Sequence, residues 1–375
     1  MKILYLKKQF KYKIMSLSIS EFSNIVTKNC SKSISLVDAN TAKKELNIVT
    51  NMDYDENILK EQHRLSVHPI QHQDLWNLYL KQRASFWVPE EVSLADDRND
   101  FEKLNSYEQK FIKNILAFFS TADGLVIDNI TESLFSKCNV LEIEYLYRWQ
   151  ISMEQIHADM YGQMLREIVT DDEERKSLTD SISNIPCIAE KNSWGRKWAC
   201  SSAPFVQLLV ANAIVEGISF SGSFCAIYWI RKKNLMKGLT TSNEFISRDE
   251  NMHCETAYHI YTKYIKHKLP EEVVFEMVAD AVNVEKKFIN DSLQCDLIGM
   301  NTTLMGQYIE YIADVLLQNL EHNVLYGTKN PFDFMVNINM QKKENFFEVR
   351  VTNYNKGGDD DVEEKNDEDS DDENF

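Results

Sequence analysis

A chain of 375 residues with only 11 Gly and 6 Pro lacks the turn-formers that an all-β fold needs, and its apolar positions recur at helical spacing. The formal net charge of −17 excludes nonspecific nucleic-acid binding, which requires Lys and Arg to neutralise phosphates. No uncharged apolar run reaches the ~20 residues of a membrane span; the nearest, Phe205 to Ile230, is interrupted by Glu216.

The acidity is concentrated. Asp359 to Phe375 holds 11 acids and one Lys, leaving −7 for the rest of the chain. The seven cysteines are scattered without a C-x-x-C pair, which fits a reducing, cytoplasmic setting. Residues 1–14 carry five Lys and no acid, but without Arg or Ser they do not read as a targeting peptide.

Residues 1–65 mix Ser, Asn and Lys with short apolar groups and no sustained period, so a peripheral arm is expected there. The globular domain is placed at 66–340. Asn105 or Ser106, with Glu108 or Gln109 three residues on, predicts a capped helix. It continues through the run Phe111 to Ile130, which is apolar nearly all round, as in a buried helix, and contains Asp123. A second helix is expected from Leu141 to Ile168, followed by a short one capped by Thr170 with Glu173. Pro186 and Pro204 are expected to bracket an irregular connection. A third long helix, Phe205 to Lys233, contains Glu216 and a mid-helix Gly222, which predicts close packing or a local distortion. Thr241 with Glu244 is expected to cap the fourth, and helices at Pro270 to Leu293 and Asn301 to Leu320 complete the body. Beyond 341 the chain is polar and ends in a flexible acidic tail.

Within the second helix, Glu154, His157 and Tyr161 fall on one face, because residues three and four apart are neighbours on a helix. Ninety-six residues after Glu154 comes Glu250, with His253 again three residues on. A single acid precedes each pair inside an apolar stretch: Asp123 by 31 residues, Glu216 by 34. One Glu-x-x-His on a helix is usually an ordinary surface or core pair. Two copies, each with an upstream acid, match the ligand pattern of a dinuclear carboxylate site in a ferritin-like bundle. The fold class is therefore read as all-α, a ferritin-like helical bundle around a buried dinuclear site. Four buried carboxylates demand counter-charge; two divalent ions bring +4 against −4, with both histidines neutral. Mixed carboxylate and imidazole donors suit iron or manganese better than calcium or structural zinc. His63, His68, His72, His259, His267 and His322 lack this context and read as structural or exposed.

From His68 to Tyr354 the sequence resembles the small, radical-generating subunit of class I ribonucleotide reductase, of the eukaryotic and viral type. The matching stretches include Ala84-Ser85-Phe86-Trp87, Ala122-Asp123-Gly124, Met153-Glu154 with His157 and Tyr161, Val215-Glu216-Gly217-Ile218, Phe220-Ser221-Gly222-Ser223-Phe224, Ile246-Ser247-Arg248-Asp249-Glu250 with His253-Cys254, Leu297-Ile298-Gly299-Met300-Asn301 and Asn330-Pro331-Phe332-Asp333-Phe334-Met335. The resemblance implies a di-iron centre, or an Mn/Fe pair on the same donors. Asp123, Glu154 and His157 would surround one ion, Glu216, Glu250 and His253 the other, with Glu154 and Glu250 bridging. It implies reaction with O₂ and a tyrosyl radical on Tyr161, shielded by Phe220, Phe224 and Ile246. A relay through His157, Asp249, Trp87 and Tyr354 would carry the radical to a separate large subunit, where ribonucleoside diphosphates are reduced. A homodimer, or a heterodimer with a small-subunit paralogue, is implied.

Two departures stand out. Ser219 occupies a position where relatives commonly have a bulky aromatic. The tail keeps a terminal Phe375 for docking, but Val362 is its only other apolar residue among many acids. The competing readings are a ferritin-like iron or O₂ oxidase, which needs neither Tyr161 nor Trp87, and a regulatory paralogue serving as a scaffold, which would not need an intact ligand set.

Overall fold

The computed structural model describes residues 56–200, 202–292 and 300–335, and among these no β-strand occurs. Helix α1 is Gln73–Ala84 and the short α2 is Asp97–Glu102. Helix α3, Ser106–Asn129, starts at the expected cap: the Asn105 side chain accepts the Tyr107 and Glu108 amides, and Glu108 accepts the Asn105 amide. Helix α4 is Leu141–Ile168, the expected span. It buries Gln150, Met153, Glu154, His157, Met160, Tyr161 and Met164, the three-and-four spacing of one helix face.

Three local signals are overridden, and the distortion expected near Gly222 is found. The cap of α5, Asp172–Thr179, is Asp171, which accepts the Glu174 amide at 2.7 Å, rather than Thr170. After the one-turn α6, Ser181–Asn184, the segment expected to be irregular is helix α7, Pro186–Trp198. Pro186 opens it because a first-turn proline gives up no intrahelical bond. The third long helix breaks in two: α8, Phe205–Ile214, and α9, Ser221–Lys232, are joined by a π-helical turn at Val215–Ser219 that holds Glu216. Finally α10, Lys237–Tyr264, begins four residues before Thr241. Its cap comes from α2: Asp97 accepts the Gly238 and Leu239 amides at 2.9 and 2.7 Å, and Asp100 accepts that of Met236 at 2.8 Å. A cap supplied from so far back along the chain leaves no local signature.

Helices α11, Glu271–Ser292, and α12, Thr302–Asn319, close the body. Helix α3 packs along α4, α8 and α9 pack on α10, and α11 packs on α7 and α12. Asp123, the two Glu-x-x-His pairs and Glu216 therefore face one interior. Among the described residues Phe205–Lys232 alone is long and apolar enough to cross a membrane, and it lies buried in this core. The packed body also reaches back past the expected boundary at 66. Ile58 is buried in the core, and Glu56 accepts the Lys266 and His267 amides. Tyr354, Phe375 and the tail from 341 lie outside the described residues.

Candidate metal centre

Helices α4 and α10 present the two Glu-x-x-His pairs to each other, and each glutamate reaches both histidines. Glu154 places Oε1 3.1 Å from His253 Nδ1 and Oε2 3.4 Å from His157 Nδ1. Glu250 places Oε1 3.1 Å from His157 Nδ1 and Oε2 2.9 Å from His253 Nδ1. The ligand-type atoms fall into two groups, Asp123 with Glu154 and His157, and Glu154 with Glu216, Glu250 and His253, each gathered within 4.8 Å. All six residues are at most 3% exposed. A carboxylate with one oxygen toward each of two donor groups has the geometry of a bridge.

The protein atoms alone leave this site unsatisfied. Asp123 Oδ2, Glu154 Oε2, Glu216 Oε2 and His157 Nδ1 are buried without a hydrogen-bond partner, and buried polar atoms are ordinarily paired. Burial, reinforced by the charges of Glu154 and Glu250, pushes the Asp123 and Glu216 carboxyls well above their ordinary range. For Glu250 burial acts in the same sense, but the His253 and His157 imidazoles outweigh it and hold its pKa low. Burial works against charging His253, yet Glu154 and Glu250 raise it to about 9. Carboxyls that retain protons beside imidazoles that gain them indicate a site lacking positive charge, and divalent cations fit that need.

The outer nitrogen of His157 is committed. Nε2 lies 3.1 Å from Asp249 Oδ2, which also accepts the Trp87 indole N–H at 2.8 Å. The Trp87 and His157 rings stack at 6.0 Å, 20° from parallel. An Nε2–H donated to Asp249 would leave Nδ1 of the neutral ring facing the cluster, an arrangement suited to metal binding. Tyr161 is 1% exposed, its hydroxyl has no hydrogen-bond partner among the described residues, and burial, then the Asp123 charge, raises its pKa well above that of a free phenol.

A family profile described as "Ribonucleotide reductase, small chain" matches residues 64–331. The protein belongs to the ribonucleotide reductase small-chain family. It is 46% identical over 307 residues to the ribonucleoside-diphosphate reductase small chain of Plasmodium falciparum, covering 82% of this chain and 88% of that one. To a ribonucleoside-diphosphate reductase small chain of Arabidopsis thaliana it is 47% identical over 294 residues, 78% of this chain and 88% of the relative. Among solved structures, the Rnr4 homodimer of ribonucleotide reductase from Saccharomyces cerevisiae superposes with a TM-score of 0.72 at 29% identity, covering 84% of this chain and 98% of that chain. The protein is accordingly a radical-providing oxidoreductase subunit, and the buried Glu and His cluster is the dinuclear metal centre of a ribonucleotide reductase small subunit.

Three residues at the site fall outside the sequence expectations. The Gln150 carboxamide donates to Glu154 Oε1 at 3.1 Å and to Glu216 Oε1 at 2.7 Å, tying two carboxylates together. Phe119 stacks on Tyr161 and also meets Phe220 and Phe224, with centroids at 5.7 and 5.1 Å. Arg248, two residues before Glu250, donates to Asp249 Oδ1 at 3.2 Å and to the Ser85 carbonyl at 2.7 Å. Ile246 is buried on α10. Ser219 is half-buried and lines a cleft of about 40 Å³ with Phe118, Ala122, Asn192 and Phe220. Three histidines outside the cluster have structural partners: His259 pairs with Asp74, His72 with Glu61, and His322 with Tyr261.

Proposed function

We propose that the centre holds two iron ions, with Asp123, Glu154 and His157 around one, Glu216, Glu250 and His253 around the other, and Glu154 and Glu250 bridging. The observation that carries this reading is the crossed arrangement in which each of those two glutamates faces both histidines. The same donors suit an Mn/Fe pair. Bound in the reduced state, the two metals would supply electrons to O₂ and the oxidising power to take an electron and a proton from Tyr161. Tyr161 then holds the radical in a dry, aromatic setting supplied by Phe119, Phe220 and Phe224, with Ile246 on the neighbouring helix. Dryness matters because water and small reductants quench a phenoxyl radical.

His157, Asp249 and Trp87 form an unbroken hydrogen-bonded line outward from the cluster. We read it as the start of the path to the large subunit, continued by Tyr354, with Phe375 anchoring the tail there. The partner reduces ribonucleoside diphosphates; this subunit provides the radical. A homodimer, the form of the Saccharomyces neighbour, is the proposed assembly, and pairing with a small-subunit paralogue is the alternative. Free cysteines throughout the described residues fit a cytoplasmic setting.

Anaerobic titration of the full-length protein with ferrous iron tests the ligand assignment. Two ions per protomer are expected, falling to one in Glu216→Ala. One or none in the unaltered protein contradicts it.

A further inference from the structure

The π turn Val215–Ser219 carries Glu216, and the junction behind it is held by side chains. Lys191 on α7 has a side chain only 2% exposed, and its ammonium donates to the Ser219 carbonyl at 2.6 Å while pairing with Glu285 of α11 at 2.5 Å. The second Glu285 oxygen accepts the Gly222 amide at 3.2 Å. The Ser221 hydroxyl donates to the Ile218 carbonyl at 2.7 Å. Where a helix passes from π to α closure its backbone register shifts, and groups at the shift need partners from outside the ladder. Here one buried ion pair reaches both sides, a carbonyl before the junction and an amide after it.

The fit is tight. Lys191 Nζ lies 3.5 Å over the Phe118 ring and 3.9 Å over that of Phe288, so the ammonium is enclosed by aromatic faces. A Cβ on Gly222 would stand 2.6 Å from Glu285 Oε1 and 2.8 Å from Ile289, which accounts for glycine inside this helix. A buried ion pair is a poor source of net stability, because removing both charges from water offsets their attraction. Its role is better sought in what its remaining hydrogen bonds hold.

We propose that Lys191 and Glu285 are positioning residues for Glu216: they fix the backbone of the π turn and thereby the place of the Glu216 carboxylate opposite Glu250 and His253. The inference rests on Glu216 being a metal ligand. Neither residue touches the cluster; they act through the Ser219 carbonyl and the Gly222 amide.

The test is a stepwise anaerobic Co(II) titration of the full-length protein, followed by visible absorption and calorimetry, alongside thermal unfolding. Removing Lys191 alone strands a buried carboxylate and endangers folding, so the informative variant is Lys191→Met/Glu285→Gln, which removes both charges and keeps an acceptor for Gly222. That double variant is expected to unfold within a few degrees of the unaltered protein and to bind its first ion normally. Its second ion should bind at least tenfold more weakly, as in Glu216→Ala. Gly222→Ala, which displaces Glu285, should show the same split. If the double variant binds both ions with unaltered affinity while Glu216→Ala loses one, the positioning role is wrong. Equal weakening of both ions together with a fall in unfolding temperature would reduce the pair to a structural element. If Glu216→Ala itself binds both ions unchanged, the ligand assignment beneath the inference fails first.

Discussion

The Tyr161 ring lies flat on Phe119, with centroids 4.5 Å apart and planes 3° from parallel. Phe119 in turn meets Phe220 and Phe224, so an aromatic cluster backs the tyrosine. Phe119→Leu keeps an apolar side chain but removes the stacked face, worth about 0.5–1.5 kcal/mol. The expected outcome is a Tyr161 radical that forms in normal yield but decays faster when a small radical scavenger is added, as followed by EPR. Phe119→Ala should in addition cost about 3–5 kcal/mol of stability, read from denaturant unfolding.

Asp249 has two tasks that substitution separates. It holds His157 Nε2 and also accepts the Trp87 indole N–H. Asp249→Asn loses the carboxylate acceptor behind His157, a proposed ligand, so affinity for the ion there should fall about 10–100-fold. Trp87→Phe leaves His157 and Asp249 bonded, so metal loading and radical yield should persist. Turnover with the large subunit should drop to background. Normal turnover in Trp87→Phe would remove this residue from the path.

The metal-free site should respond to pH in a defined direction. His253 is raised to about 9 by Glu154 and Glu250 against the effect of burial. A raised imidazole stabilises the metal-free fold fully below its ordinary value near ~6.5, and that contribution is lost as pH rises through about 9. Metal ligation needs the neutral ring, so ion binding must expel this proton below pH 9 and should weaken as pH falls. Calorimetry in buffers of different ionisation enthalpy should record proton release on metal loading near neutrality. No release would contradict the protonated metal-free cluster.

Glu142 offers a check remote from the centre. Its fully buried carboxylate accepts Arg64 Nη2 at 2.5 Å and the Gln71 amide at 2.8 Å, fastening the segment before α1 to the start of α4. Burial opposes its charge, but Arg64 and the Gln71 amide outweigh that and lower its pKa. The stabilisation is present above the ordinary carboxylate value of ~4.3 and is lost as pH falls through the lowered folded value. Glu142→Gln should raise hydrogen exchange across residues 64–72 at neutral pH, to the level the unaltered protein shows only in acid.

The metal centre is legible in the sequence because helix period and donor chemistry coincide: a spacing of three on α4 and α10 puts Glu154 with His157 and Glu250 with His253 whatever surrounds them. The ends of α4 are legible for a related reason, since an unbroken apolar period runs from Leu141 to Ile168. What escapes is set by distant parts of the sequence. The start of α10 depends on Asp97 and Asp100, and the π turn at Glu216 is held by Lys191 and Glu285, neither of which is near it in sequence. Gln150 and Phe119 are accessible in principle, each lying four residues before a proposed ligand, Glu154 and Asp123, on the same helix face. They do not stand out, because a helical glutamine and one phenylalanine in an aromatic run look ordinary until their partners are known.

If the dinuclear centre oxidises Tyr161 as proposed, the product is a tyrosyl radical that low-temperature EPR records. The full-length protein is loaded anaerobically with ferrous iron, exposed to O₂ and frozen, beside Tyr161→Phe treated identically. A tyrosyl doublet in the unaltered protein, absent from Tyr161→Phe although both bind two irons, is the predicted result. Iron bound and oxidised in both proteins with no radical that depends on Tyr161 would contradict it.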